Sequence, residues 1–267
     1  MNIVVCVKYV PDATADRHFE SDHTVDRVGV PGLLSELDEY AVEQALQLKE
    51  KADGEEVVVT ALCVGPDEAT EAIKKALQMG VDKGVHVVDD AIAGSDYLGT
   101  SLVLAKAVEK IVAESGEVDL VMCGMASTDA SGSVVPAMLA ERLDLPQVTL
   151  GSVIERQGKE IRIKRDGDTS TEVIGATAPL VLSVTDQSGE ARYPSFKGIM
   201  AAKKKPLETW SLSDIGIDTG TVGIAAAWSA VESTEERPPR TAGEVVTDED
   251  GSGASALVEF LASKKFI

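Results

Sequence analysis

Basic residues are scarce in this chain: 25 Lys and Arg stand against 45 Asp and Glu, a formal charge of −20 at pH 7. A field of that sign repels nucleic acid and anionic lipid, so neither is expected as a partner. The acids are spread along the chain instead of forming a tail, the pattern of a surface adapted to high salt, where screening shortens self-repulsion; a halophilic source is expected. Cysteine is scarce as well. Cys6, Cys63 and Cys123 are odd in number and widely spaced, which argues against a disulfide framework. They also lack a fourth ligand or any close pair, which argues against a metal centre on spacing, and His18 and His23 lack a supporting Cys or carboxylate cluster at ligand spacing and read as solvent-exposed. No apolar run approaches the ~18 residues of a membrane span, so direct membrane insertion is not expected. The chain runs from Met1-Asn2 straight into the apolar Ile3–Cys6 without a basic n-region or cleavage site, which reads as a first strand and a cytoplasmic location. Gly-x-Gly-x-x-Gly and Walker Lys-Ser/Thr spacings are missing too.

What is present is an ordinary core composition, 44% hydrophobic and 26% charged, on a chain long enough to bury it. The organising stretch is Val118–Glu141. A short apolar run reads as a buried parallel strand, a loop of small residues follows, and a helical pattern begins near Val134. In an open α/β sheet such a turn lies at the carboxyl edge, where small side chains let backbone N–H groups and a helix N-terminus approach an anion. A phosphate is expected there.

Around it the chain alternates. Asn2–Lys8, Glu56–Val64, Gly84–Val88 and Val118–Cys123 read as strands. Between them Ser35–Lys51, the stretch after Pro66 up to Gly80, and the run capped by Ser95 or Asp96 read as helices. Ser35 is the candidate N-cap of the first, with Asp38 three positions on, and Gly80 the stop of the second. The order βαβαβαβ implies a mostly parallel, Rossmann-like sheet with helices on both faces. All three cysteines fall near carboxyl ends of strands, as small buried residues on a pocket floor. After Pro146 the texture changes: Gln147–Ile154 and Ile161–Lys164 read as an antiparallel hairpin extension, and Thr171–Ile174 and Leu180–Thr185 as further strands. A loop over residues 188–203 carries Phe196, Ile199 and Met200 near its tip, the composition of a docking anchor. Lys203-Lys204-Lys205 follows, read either as a contact for an acidic group or as a solvated face. Residues 1–230 are expected to form the α/β domain. Residues 231–267, polar and Pro-rich before a short helix at Ala256–Ser263, form a C-terminal arm too poor in apolar residues to fold alone.

At this point the residues resemble a known family. Val184-Thr185-Asp186, Glu190-Ala191-Arg192-Tyr193 and Ile199-Met200-Ala201-Ala202-Lys203-Lys204-Lys205 are similar to the signature of the electron transfer flavoprotein beta subunit. Collinear matches are Val7–Asp12, Asp38–Leu46, Ala76–Asp82, Leu145–Thr149 and Pro238–Gly243. The resemblance implies an electron carrier without side-chain catalysis, paired with an alpha subunit that holds most of the FAD. It implies an adenine-nucleotide-binding fold with a structural AMP at Cys6, Ser35, Leu37, Asp38, Val64 and the loop Gly124, Met125, Ala126, Ser127, Thr128, Asp129, Gly132, Ser133, Val134 and Val135. It implies that Arg192, Tyr193, Phe196, Ile199 and Met200 dock acyl-CoA dehydrogenases or similar flavoproteins of fatty acid beta-oxidation. Electrons would pass on to a membrane quinone oxidoreductase or another acceptor, and the arm would lie on the alpha subunit. Where many members carry Asn-Pro-aromatic, this chain has Ser35-Glu36-Leu37. Where many carry Gln-Ala-Ile-Asp, Met125–Asp129 keeps only the acid, leaving the hydroxyls of Thr128 and Ser133 to bond phosphate.

Three other readings compete. An electron-bifurcating member would hold a second FAD in place of AMP, but Ala130-Ser131-Gly132 lacks the Asp-x-Asp-Thr-type pattern. A stand-alone universal-stress-type module would need no alpha partner and leaves Arg192–Lys205 unexplained. An ATP-dependent enzyme would need a Gly-rich cradle after the first strand, which Lys8–Asp12 does not supply.

Overall fold

The β-branched runs and amphipathic segments of the first half alternate in space as they do in sequence. The computed structural model describes residues 1–235, 238, 241–243, 245–248 and 250–267. In chain order the elements are β1 (Asn2–Cys6), β2 (Tyr9–Pro11), β3 (Gly32–Leu34), α1 (Glu36–Glu50), β4 (Val58–Val64), α2 (Thr70–Met79), β5 (Lys83–Val87), α3 (Tyr97–Ser115), β6 (Leu120–Gly124) and α4 (Val135–Leu143). Then follow β7 (Gln147–Gly151), β8 (Val153–Gln157), β9 (Glu160–Asp166), β10 (Thr171–Thr177), β11 (Leu180–Val184), α5 (Phe196–Ala202), β12 (Leu207–Trp210) and α6 (Gly253–Ser263). Seven strands form one sheet in the order β12-β5-β4-β1-β6-β11-β7, and every pairing in it is parallel.

The near-continuous apolar runs of β1, β4, β6 and β11 are explained by burial on both sheet faces. Alternate residues feed two cores. Ile3, Val5, Leu120 and Met122 meet α1 and α2 through Ala41, Ala45, Ile73 and Leu77. Val4, Val121 and Val181 meet α3 and α4 through Val103, Ala107, Val108 and Leu139 on the other side. The sheet with helices on both faces is therefore as read. The order reverses at β1, between β4 and β6, which opens a crevice at the carboxyl edge there.

Two local readings are corrected, and two elements are added to them. The run Gln147–Ile154 is not one arm of a hairpin: Leu150 takes φ 64 and the chain turns out of the plane. Gln147–Gly151 pairs with β11 in the main sheet, while Val153–Gln157 pairs with β9 in a separate three-stranded sheet. The turn-rich stretch from Ala13 to Pro31 hangs from a small hairpin, β2 with β3, that folds it back on itself. Leu207–Trp210 adds an edge strand whose half-exposed pattern hid it in sequence. The tip of the 188–203 segment is the short helix α5, capped by Ser195 Oγ, not an open loop.

Two compact units are distinguished, Met1–Ser233 and Thr234–Ile267. The second carries α6, which begins at Gly253 and not at Ala256, with Leu257, Val258 and Phe260 exposed. Pro239 and Arg240 of the Pro238–Gly243 match lie outside the described residues. No helix among the described residues is long and apolar enough to cross a membrane.

Candidate functional site

The carboxyl ends of β1 and β6 and the N-terminus of α1 meet at Asp38. Its carboxylate accepts the backbone N–H of Lys8 at 2.8 Å and that of Gly124. Gly124 is required by this closeness, since a Cβ there would fall 2.6 Å from Leu37 O and 2.7 Å from Asp38 Oδ1. Burial pushes the Asp38 carboxyl up to about 7, against the pull of the Lys8 amide and ammonium. Ser35 precedes the helix as expected, and its N–H donates to Lys8 O at 2.9 Å, but its hydroxyl does not cap α1. That hydroxyl is buried and has no partner.

The cysteines split. Cys6 and Cys123 lie side by side, one position beyond the paired Val5 and Met122, on the α3/α4 face. Cys63 points into the opposite core, where burial pushes its thiol up to about 12. Cys6 and Val64 thus end their strands beside the crevice, while Cys63 serves packing.

Loop 124–135 starts half-buried at Met125 and emerges at Ala130. Its centre is Asp129, whose side chain is 1% exposed. Lys8 Nζ donates to it at 2.9 Å and Arg27 Nη2 at 2.5 Å, while Lys8 also reaches Ser127 Oγ at 3.4 Å. Arg17 Nη1 donates to Thr128 O at 3.1 Å. Burial alone would raise Asp129; the Lys8 charge and the hydrogen bonds from Ser127, Arg27 and Lys8 outweigh it and hold the carboxyl at about 2. Two cations thus close on one anion, with a third, Arg17, on the neighbouring carbonyl of Thr128, in a chain with a large acidic excess. Thr128 Oγ1 is a second buried hydroxyl without a partner. Gly132 lies against Tyr97, and Ser131 and Ser133 flank it at φ 51 and 54, a left-handed conformation that non-glycine residues seldom adopt. Ser133 is exposed, and Val134 and Val135 lead into α4. Lys8, Arg17 and Arg27 were missed in sequence. Only Lys8 carried a signal, its place just past the first strand; the arginines arrive through the β2–β3 fold-back.

The second predicted group follows β11. Arg192 stands apart from its neighbours: its guanidinium is engaged within the chain, with Nε on Glu43 Oε2 at 2.6 Å and Nη1 on Glu50. These bonds raise its pKa, and Arg192 in turn holds Glu43 below the usual range although burial opposes it. Gly198 fits α5 against α2, because a Cβ would lie 2.4 Å from Gln78 O. Lys205 is turned inward and donates to Leu77 O and Val81 O at the end of α2, so the tribasic run is not a uniformly solvated face. With these three anchors behind it, the segment presents Tyr193 at 91% and Phe196 at 82% exposure, with Ile199 and Met200 beside them.

Comparison with known proteins bears on both groups. Residues 22–215 match the electron transfer flavoprotein domain. The chain belongs to the electron transfer flavoprotein family. It is 45% identical over 269 residues to the electron transfer flavoprotein subunit beta of Mycobacterium tuberculosis, covering 100% of this chain and 99% of that one. It is 33% identical over 268 residues to the subunit of the same name from Thermoanaerobacterium thermosaccharolyticum, covering all of both chains. It is 32% identical over 268 residues to the caffeyl-CoA reductase-Etf complex subunit CarD of Acetobacterium woodii, again over the full length of both. Electron transfer flavoprotein beta subunits carry electrons, and the family implies a flavin.

Proposed function

We propose that this chain is the beta subunit of a heterodimeric electron transfer flavoprotein, that it holds one AMP at the 124–135 loop, and that it helps an alpha subunit enclose FAD. The observation that carries the AMP assignment is the pair of cations on Asp129, with Arg17 on the adjoining Thr128 carbonyl, beside two unpartnered buried hydroxyls. With Asp129 ionised, Lys8 and Arg27 still leave a net positive charge at the loop, which suits a phosphate group. Buried hydroxyls without partners are costly unless a ligand or water bonds them, and Ser35 Oγ and Thr128 Oγ1 fit a nucleotide's polar groups. Lys8, Arg27, Ser127 and Thr128 would hold the phosphate, and Ser35, Leu37, Cys6 and Val64 the nucleoside. The flavin, when bound by the pair, supplies the redox chemistry. This chain's residues position and shield it, and Tyr193, Phe196, Ile199 and Met200 offer the apolar face to a flavoprotein dehydrogenase. A quinone oxidoreductase is the proposed acceptor, and the acidic surface is read as an adaptation to salt. The test is co-expression with the alpha-type gene product of its source, purification, denaturation and quantitation of released nucleotides. One AMP and one FAD per pair support this reading. Two FAD without AMP, or a chain with no affinity for an alpha subunit, would overturn it.

A further inference from the structure

The first turn of α3 touches two regions that are far apart in sequence. On one side Tyr97 packs on the nucleotide loop: its hydroxyl donates to Ala130 O at 3.3 Å, and a Cβ at Gly132 would fall 2.1 Å from that same hydroxyl oxygen. The ring thus backs the part of the loop held in the unusual conformation at Ser131 and Ser133. On the other side the preceding residues hold the stretch 223–229, the last part of the first unit before the C-terminal arm. Ile224 N–H donates to Ala93 O at 3.1 Å, Gly223 N–H to Ser95 Oγ at 2.7 Å, and Trp228 and Ser229 N–H to Asp96 Oδ2 at 2.9 and 3.3 Å. Gly94 is part of the same fit, since a Cβ there would meet Ile224 at 2.7 Å. Asp96 divides its work between its oxygens: Oδ1 caps α3 by accepting Leu98 and Gly99 N–H, and Oδ2 takes the 223–229 stretch.

We infer that Tyr97 and Asp96 are positioning residues that couple nucleotide binding at the 124–135 loop to the order of the 223–229 stretch. The inference rests on the nucleotide reading above. Two adjacent residues at a helix start cannot move independently, so a loop that tightens on a phosphate steadies Tyr97, the cap and the stretch held by Asp96. Neither residue needs to touch the nucleotide.

The experiment uses the full-length chain, AMP as the probe, calorimetric titration, and amide hydrogen exchange at Trp228 and Ser229. In the wild-type chain, AMP is expected to slow exchange at these two amides several-fold. Asp96→Asn keeps an acceptor for the helix cap but replaces Oδ2 with a donor that faces two N–H groups. Exchange at 228 and 229 should then rise whether or not AMP is present, and AMP affinity should fall several-fold. Tyr97→Ala should cost at least tenfold in AMP affinity, and Tyr97→Phe, which keeps the ring, should recover most of it. If wild type binds AMP but exchange at 228 and 229 does not respond, or both variants bind AMP as wild type does, the coupling is overturned while the nucleotide reading stands. If wild type binds no AMP, the nucleotide reading fails and takes the coupling with it. Tyr97→Phe also guards against misfolding of the alanine variant, because it should melt with wild type.

Discussion

Two segments leave the carboxyl ends of neighbouring strands, the 124–135 loop after β6 and the 189–205 segment after β11, and both are held by ion pairs. In the loop the ion pairs draw charge inward: Lys8 and Arg27 close on Asp129, and polar groups are buried around it. In the later segment the ion pairs stand behind. Arg192 on Glu43 and Glu50 fixes the base, and the apolar side chains are turned out. The same interaction thus builds a ligand site in one place and a rigid platform in the other. What differs is whether the neutralised charges line the working surface or lie beneath it.

That contrast can be broken from either side, and the largest effect is expected in the loop. Asp129→Ala removes the anion between two cations and should cost about 2–3 kcal/mol of stability, measured by denaturant unfolding. The two loop-edge carboxyls should also give opposite pH slopes. Asp129, held at about 2 against an ordinary 3.8, contributes stability that is present above pH 3.8 and lost as the pH falls from there toward 2. Asp38, pushed up to about 7, does the reverse: the folded chain binds its proton more tightly, so stability is lost as the pH rises from 3.8 toward 7. Asp38→Asn should flatten the slope across that window in unfolding measured at successive pH values.

Effects on the platform should be smaller. Gly198→Ala forces α5 off Gln78 and should cost about 1–2 kcal/mol. Arg192→Ala leaves Glu43 buried without its cation; because Glu50 is 57% exposed and screened by solvent, about 1 kcal/mol is expected. Both should raise amide exchange over residues 193–202. Phe196→Ala should change stability by less than about 0.5 kcal/mol, as an exposed side chain. Its affinity for a flavoprotein dehydrogenase, read by surface binding, should nonetheless fall about tenfold or more.

The sheet was legible because buried parallel strands and helical periodicity are written locally, and the loop because small residues follow an apolar run. The cations were not. Arg17 and Arg27 lie in a stretch without periodicity, and their approach to Thr128 O and to Asp129 depends on the β2–β3 pairing across more than twenty residues. Lys205 looked like one of three equal lysines, yet the free carbonyls at the end of α2 turn it inward. Arg192 was grouped with the residues around it, and only the fold shows that its partners are on α1. Helix α5 is too short to show a helical repeat in sequence.

The central claim is that the Lys8–Asp129–Arg27 cluster reads a phosphate. Calorimetric titration of the full-length chain with AMP and with adenosine tests it most directly. The account predicts that AMP binds at least about tenfold more tightly than adenosine, and that Lys8→Met with Arg27→Met removes the difference while leaving adenosine affinity in place. Equal affinities of the wild-type chain for AMP and adenosine would contradict it.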